Sequence, residues 1–227
     1  MLYGSRSERE RQMEERRHWM IKVIIVDDHP VVRRGLKQII EDEQDMEVVG
    51  EAKNAGECFS LVRKTDCALV VLDINLPDRS GIDVLNQLKH EKPNLPILIL
   101  SVNPEDQYAL RLIKAGASGY LMKESALTEL VKAIRKVSSV GKYVSAPLSE
   151  KIIFQSDDSE KPPHENLSNR EFQILCMIAR GNSLKSIAGE LCISEKTVST
   201  YRSRIMEKMK MSNNFDLIRY VSEHHLV

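Results

Sequence analysis

Asp27 and Asp28 close one short apolar run, VIIVDD, and Asp73 closes another, ALVVLD. Ser101 ends a third run, PILILS, and Lys123 follows a fourth, GYLM. Three carboxylates gathered at one place repel one another unless a hard cation sits among them, and Mg2+ prefers carboxylate, carbonyl and water oxygens. Such a cation can bridge a phosphoryl oxygen and a carboxylate while the phosphoryl group transfers in line. Lys123 would supply a compact positive charge to the same group. Singly, each residue has a plainer reading: a strand-end aspartate is often a helix cap, and a lone lysine a surface residue. The joint arrangement, with each residue at the end of a successive apolar run, is what chance does not provide.

For these side chains to meet, the runs must be neighbouring parallel strands. KVIIVD (22–27), MEVVGEA (46–52), ALVVLD (68–73), PILILS (96–101) and GYLM (119–122) read as strands. Between them Val32, Leu36, Ile39 and Ile40, then 55–65, 82–91 and 105–115, and finally Leu127, Leu130, Val131, Ile134 and Val137 read as helices. The pattern predicts a flavodoxin-like α/β domain, with a five-stranded parallel sheet in the order 2-1-3-4-5 and helices on both faces. In that order strands one and three are neighbours at the topological switch point, where ligands of open sheets bind.

A second chemistry lies near the other end. Ser168 and Glu171 form a capping-box pair, Gly181 stands at a helix C′ position, and Ser194 caps a further helix. Ile187, Ala188 and Leu191 make one apolar face, and a turn at Cys192–Ile193 leads to a helix whose Val198, Ile205 and Met209 point inward. Helices are predicted near 168–179, 184–191, 195–209 and 215–223. The outward residues of the third are short, polar or basic, and residues 196–210 carry Lys196, Arg202, Arg204, Lys208 and Lys210 against Glu207 alone. Such a helix fits the major groove of DNA. A plain helical bundle with a solvated face would show the same spacing.

VIIVDDHP, VVLDINLPDRSG, ILILS and AGASGYLMK resemble the receiver domain of two-component response regulators over about residues 20–140. The resemblance implies that Asp73 is the phosphoacceptor. It implies that Asp27, Asp28, Asp73 and the backbone carbonyl of Asn75 hold Mg2+, that Ser101 hydrogen-bonds the phosphoryl group, that Lys123 pairs with it, and that Tyr120 is the aromatic switch. Glu124 stands where many receivers have proline. The stretch LSNREFQILCMIARGNSLKSIAGELCISEKTVSTYRSRIMEKM resembles the LuxR-type helix-turn-helix of the NarL/FixJ regulators over about 165–221. That implies DNA contacts from Lys185, Lys196, Thr197, Ser199, Thr200, Tyr201, Arg202, Ser203 and Lys208. Ser199 and Leu184 depart from residues frequent in that family.

The chain then divides into an extension at 1–19, a receiver at 20–142, a linker at 143–164 with a short helix over 147–154, and a DNA-binding domain at 165–227. The implied partners are a sensor histidine kinase or phosphotransfer protein, double-stranded DNA, and a second copy of the chain when phosphorylated. The four cysteines form no CxxC pair, and no apolar run approaches bilayer length, so a cytoplasmic protein with reduced thiols and no membrane partner is expected. A net charge of zero names no partner by itself. A phosphatase of the haloacid dehalogenase type would need a second aspartate two residues past its nucleophile. Asn75 follows Asp73 and His29 follows Asp27, so a regulator rather than an enzyme is expected. A DNA-binding regulator acting without phosphorylation remains the alternative.

Overall fold

The computed structural model describes residues 20–102, 107–144, 149, 162–191, 193–224 and 226. Strands β1 (Ile21–Val26), β2 (Met46–Ala52), β3 (Leu69–Asp73), β4 (Ile97–Ser101) and β5 (Gly119–Met122) form one parallel sheet in the order β2-β1-β3-β4-β5. Helices α1 (Pro30–Glu41), α2 (Ala55–Lys64), α3 (Gly81–Glu91), α4 (Gln107–Lys114) and α5 (Ala126–Val140) alternate with them. The expected sheet order is the observed one. The expected extension at 1–19, the helix over 147–154, the start of the 105–115 helix and Cys192 lie outside the described residues.

The two-residue period of a strand sorts β1 between two cores. Val23 and Ile25 pack with Leu36 and Ile40 of α1 and with Leu130, Ile134 and Val137 of α5. Ile24 and Val26 face the other way, onto a core that takes in Phe59, Leu85, Leu88 and Leu110 from α2, α3 and α4. β3 and β4 are buried along their whole length because helices cover both faces, which is why they read as unbroken apolar runs rather than alternating ones.

The second unit contains α6 (Asn169–Ala179), α7 (Leu184–Glu190), α8 (Glu195–Met209) and α9 (Asn214–Glu223), preceded by a 3-10 turn at Pro163–Asn166. Each helix start is written in the sequence. Ser168 and Glu171 complete the capping box, and Ser183, Ser194 and Asn213 each accept a backbone N–H from the third residue on. Gly181, at φ +82°, turns the chain out of α6. Phe172, Leu175, Ile187, Val198, Ile205, Leu217 and Val221 fill the interior, and they join the larger sheet core without a break. The last part of the expected linker is therefore structured: His164 is buried, and its Nδ1 lies 2.8 Å from the Tyr220 hydroxyl. Cys58, Cys67 and Cys176 are free thiols.

Candidate functional site: an acidic pocket and a helix-turn-helix

The carboxyl ends of β1, β3, β4 and β5 bring the predicted pocket residues together. Asp27 and Asp73 have no exposed surface, and the Lys123 ammonium stands between them, 2.7 Å from Asp27 Oδ2 and 2.8 Å from Asp73 Oδ2. The backbone N–H of Asn75 donates to Asp73 Oδ1 at 3.1 Å, and that of His29 donates to Asp27 Oδ1 at 2.7 Å. Lys123 is placed by its own backbone, whose N–H donates to the Ser101 carbonyl at 2.8 Å. Ser101 and Tyr120 are fully buried, on β4 and β5.

The loop after Asp73 turns back tightly, with an antiparallel bridge between Asn75 and Ser80. Gly81 begins α3 so close to that loop that a Cβ there would lie 2.5 Å from Ile74 Cα and 2.7 Å from the Asp73 carbonyl oxygen. Backbone, not a side chain, stands in the way, so only glycine fits without moving the end of β3.

Burial raises the Asp73 carboxyl to about 6; the Asp27 charge adds to that, and Lys123 works against it. Burial also opposes the charge on Lys123, yet Asp73 and Asp27 outweigh it and hold its pKa above the ordinary lysine value. Asp27, Asp28, His29 and Asp73 offer ligand atoms all within 4.8 Å of one another. Asp27 Oδ2 and Asp28 Oδ1 are buried without a hydrogen bond of good geometry, lying instead beside the Lys123 ammonium and the His29 ring. Oxygen-rich, acidic and partly open at Asp28, the cluster suits a hard divalent cation. His29 is an addition to the set expected from sequence.

On α8 the inward residues are those expected: Val198, Ile205 and Met209 are buried. Lys185 on α7 and Lys196, Ser199, Thr200, Ser203 and Arg204 on α8 are exposed. Thr197 and Tyr201 are half-buried. With Ser194, Lys196, Thr200 and Arg204 they line a shallow cleft, which adds Arg204 to the residues expected to meet DNA. Thr200 and Ser203 donate their hydroxyls back to the carbonyls of Lys196 and Ser199. Arg202 donates to the Asn214 side chain at 2.7 Å. Lys208 is exposed as well, and its ammonium sits 2.6 Å from the buried Glu171 carboxylate, the one that closes the capping box. No helix among the described residues is long and apolar enough to cross a membrane.

Comparison with known proteins agrees with both halves. Residues 23–135 match the family described as "Response regulator receiver domain", and residues 165–221 match "Bacterial regulatory proteins, luxR family". The chain is 35% identical over 210 residues to the response regulator GacA of Pseudomonas aeruginosa, covering 92% of this chain and 98% of GacA. It is 32% identical to the response regulator UvrY of Escherichia coli, over 91% of this chain and 96% of UvrY. It also resembles the structure of RcsB from Salmonella enterica serovar Typhimurium bound to promoter P1flhDC with the phosphomimetic BeF3−, at 27% identity and TM-score 0.61, covering 89% and 98% of the two chains. With a receiver sheet, a helix-turn-helix and full-length relatives at this identity, the chain belongs to the two-component response regulators that carry a LuxR-type DNA-binding domain.

Proposed function

We propose that Asp73 accepts a phosphoryl group from the phosphohistidine of a sensor kinase or phosphotransfer protein, and that the acyl phosphate controls transcription through α8. The observation that carries this reading is the meeting of Asp27, Asp73 and Lys123 at the ends of three different strands. An Asp73 oxygen attacks phosphorus in line, the N–P bond breaks, and the imidazole leaves with the electron pair and takes a proton. Mg2+ held by Asp27, Asp28, Asp73 and the Asn75 carbonyl would neutralise charge on the phosphoryl oxygens. Lys123 pairs with the new dianion, and its release from Asp73 is driven by the same charge. Ser101 hydrogen-bonds a phosphoryl oxygen, and Tyr120 adjusts behind it.

Lys185, Lys196 and Arg204 contact DNA phosphates, while Ser199, Thr200 and Ser203 choose among bases. One short helix reads few base pairs, so a second copy is needed for useful specificity. RcsB has been captured on promoter DNA with a phosphomimetic, in keeping with this coupling. The protein acts in the cytoplasm as a regulator and not as an enzyme. Incubation with acetyl phosphate and Mg2+, followed by a phosphate-affinity gel, tests the assignment. The wild type is retarded, Asp73→Asn is not, and EDTA abolishes the shift; phosphate mapped to another residue overturns it. Sedimentation and DNA titration with beryllofluoride test the output, and unchanged mass together with unchanged affinity would refute coupling through dimers.

A further inference from the structure

The pocket is touched by the second unit as well as the first. Gln173 of α6 is 3% exposed, and its Nε2 donates to the Asn75 side-chain Oδ1 at 2.8 Å. Its amide is oriented from behind: Arg170 Nη1 donates to Gln173 Oε1 at 2.8 Å. A guanidinium can only donate, so the oxygen of Gln173 must face Arg170 and the NH2 must face Asn75. The backbone of Asn75 holds Asp73 in turn.

A second contact lies beside the first. Arg111 of α4 donates through Nη2 to the carbonyls of His164, Glu165 and Leu167, at 2.9, 3.2 and 3.1 Å. The same guanidinium lies 4.4 Å above the Phe172 ring. Arg111 thus grips the 3-10 turn and α6 together, one residue from Gln173.

The docked face is α6, not α8. Lys196, Ser199, Thr200, Ser203 and Arg204 remain exposed in the docked arrangement, whereas Asp73 has no exposed surface. We infer that Gln173, supplied by the DNA-binding domain, holds the Asn75 loop against the phosphorylation site, and that docking restrains phosphoryl transfer to Asp73 rather than access to DNA. The inference rests on Asp73 being the acceptor. A donor must pass the Asn75 loop, against which Gln173 is held, so transfer waits for the Gln173–Asn75 and Arg111 contacts to open. The rate is then reduced by the fraction of molecules that are open.

The test is the rate at which the full chain takes up phosphate from acetyl phosphate with Mg2+, read on a phosphate-affinity gel. Gln173→Ala, Gln173→Glu and Arg111→Ala should each raise it about threefold or more. Gln173→Glu keeps the shape and the Arg170 partner but cannot donate to Asn75, and Arg111→Ala leaves the pocket and its loop untouched. Affinity of the unphosphorylated variants for a DNA duplex should stay within about twofold of the wild type, because α8 is already open. Wild-type rates in all three variants would overturn the inference while leaving Asp73 as the acceptor. A faster rate accompanied by an equal gain in DNA affinity would also overturn it, in favour of a contact that guards DNA. Absence of phosphate on Asp73 in the wild type and every variant would remove the underlying assignment, and the inference with it.

Discussion

One ammonium serving two buried carboxylates leaves the pocket short of positive charge. Asp73 holds a proton up to a pH of about 6, above the range of a free aspartate. A carboxyl whose pKa is raised by folding adds stability below its unfolded pKa and loses that contribution as pH rises through the folded value. At neutral pH the ionised Asp73 therefore works against the fold. Asp73→Asn, a neutral isostere, should stabilise the metal-free protein by about 1–3 kcal/mol at pH 7.5, an advantage that vanishes toward pH 4. Urea denaturation in EDTA at the two pH values measures this; equal midpoints for variant and wild type at pH 7.5 would contradict it. At this scale the pocket was legible because each member closes an apolar run, so sequence position and spatial position coincide. Gln173 was not, since its partner Asn75 lies 98 residues away and a glutamine in an amphipathic helix carries no mark of what it touches. The ion pair of Lys208 was hidden for a similar reason: its charge counts toward a basic stripe, while its partner, Glu171, is 37 residues back.

Among the elements, the 3-10 turn at Pro163–Asn166 is the least expected from sequence, where Pro162–Pro163 reads as a break. It is ordered by what its histidine meets. The His164 ring is packed near Phe172, Tyr220 and His224, with its Nδ1 on the Tyr220 hydroxyl. Burial, aided by the nearby Arg111 charge, lowers its pKa to about 4. The unfolded chain takes up that proton near the ordinary histidine value, so the folded state loses stability as pH falls from about 6.5 to about 4. The wild type should show a falling melting temperature across that window, and His164→Phe a shallower slope there. Parallel pH profiles for the two proteins would show that His164 is not buried in its neutral form. The strands, by contrast, were plain from sequence, because a sheet covered on both faces requires continuous apolar runs and leaves few alternatives.

For the whole molecule, charge placement matters more than its sum of zero. Lys196 is exposed on α8, while Lys208 is held by Glu171 inside the same domain. Lys196→Ala should weaken binding to any duplex and lower the salt slope of log K by about one. Lys208→Ala should leave the slope alone and instead lower the domain's stability, since a nearly buried Glu171 loses its counter-charge. DNA titrations at several salt concentrations distinguish the two; an equal drop in slope for both would put Lys208 back on the phosphate backbone. The division into two units was visible in the sequence as a change from strand–helix alternation to helices alone. That the units would share a face was not, because a docking surface has no period of its own.

The larger apolar core runs unbroken from the sheet into α6–α9. In the docked arrangement, a cavity opened beneath β3 and one opened beneath α8 are therefore flaws in the same interior, and each lowers the temperature to which the docked molecule holds together.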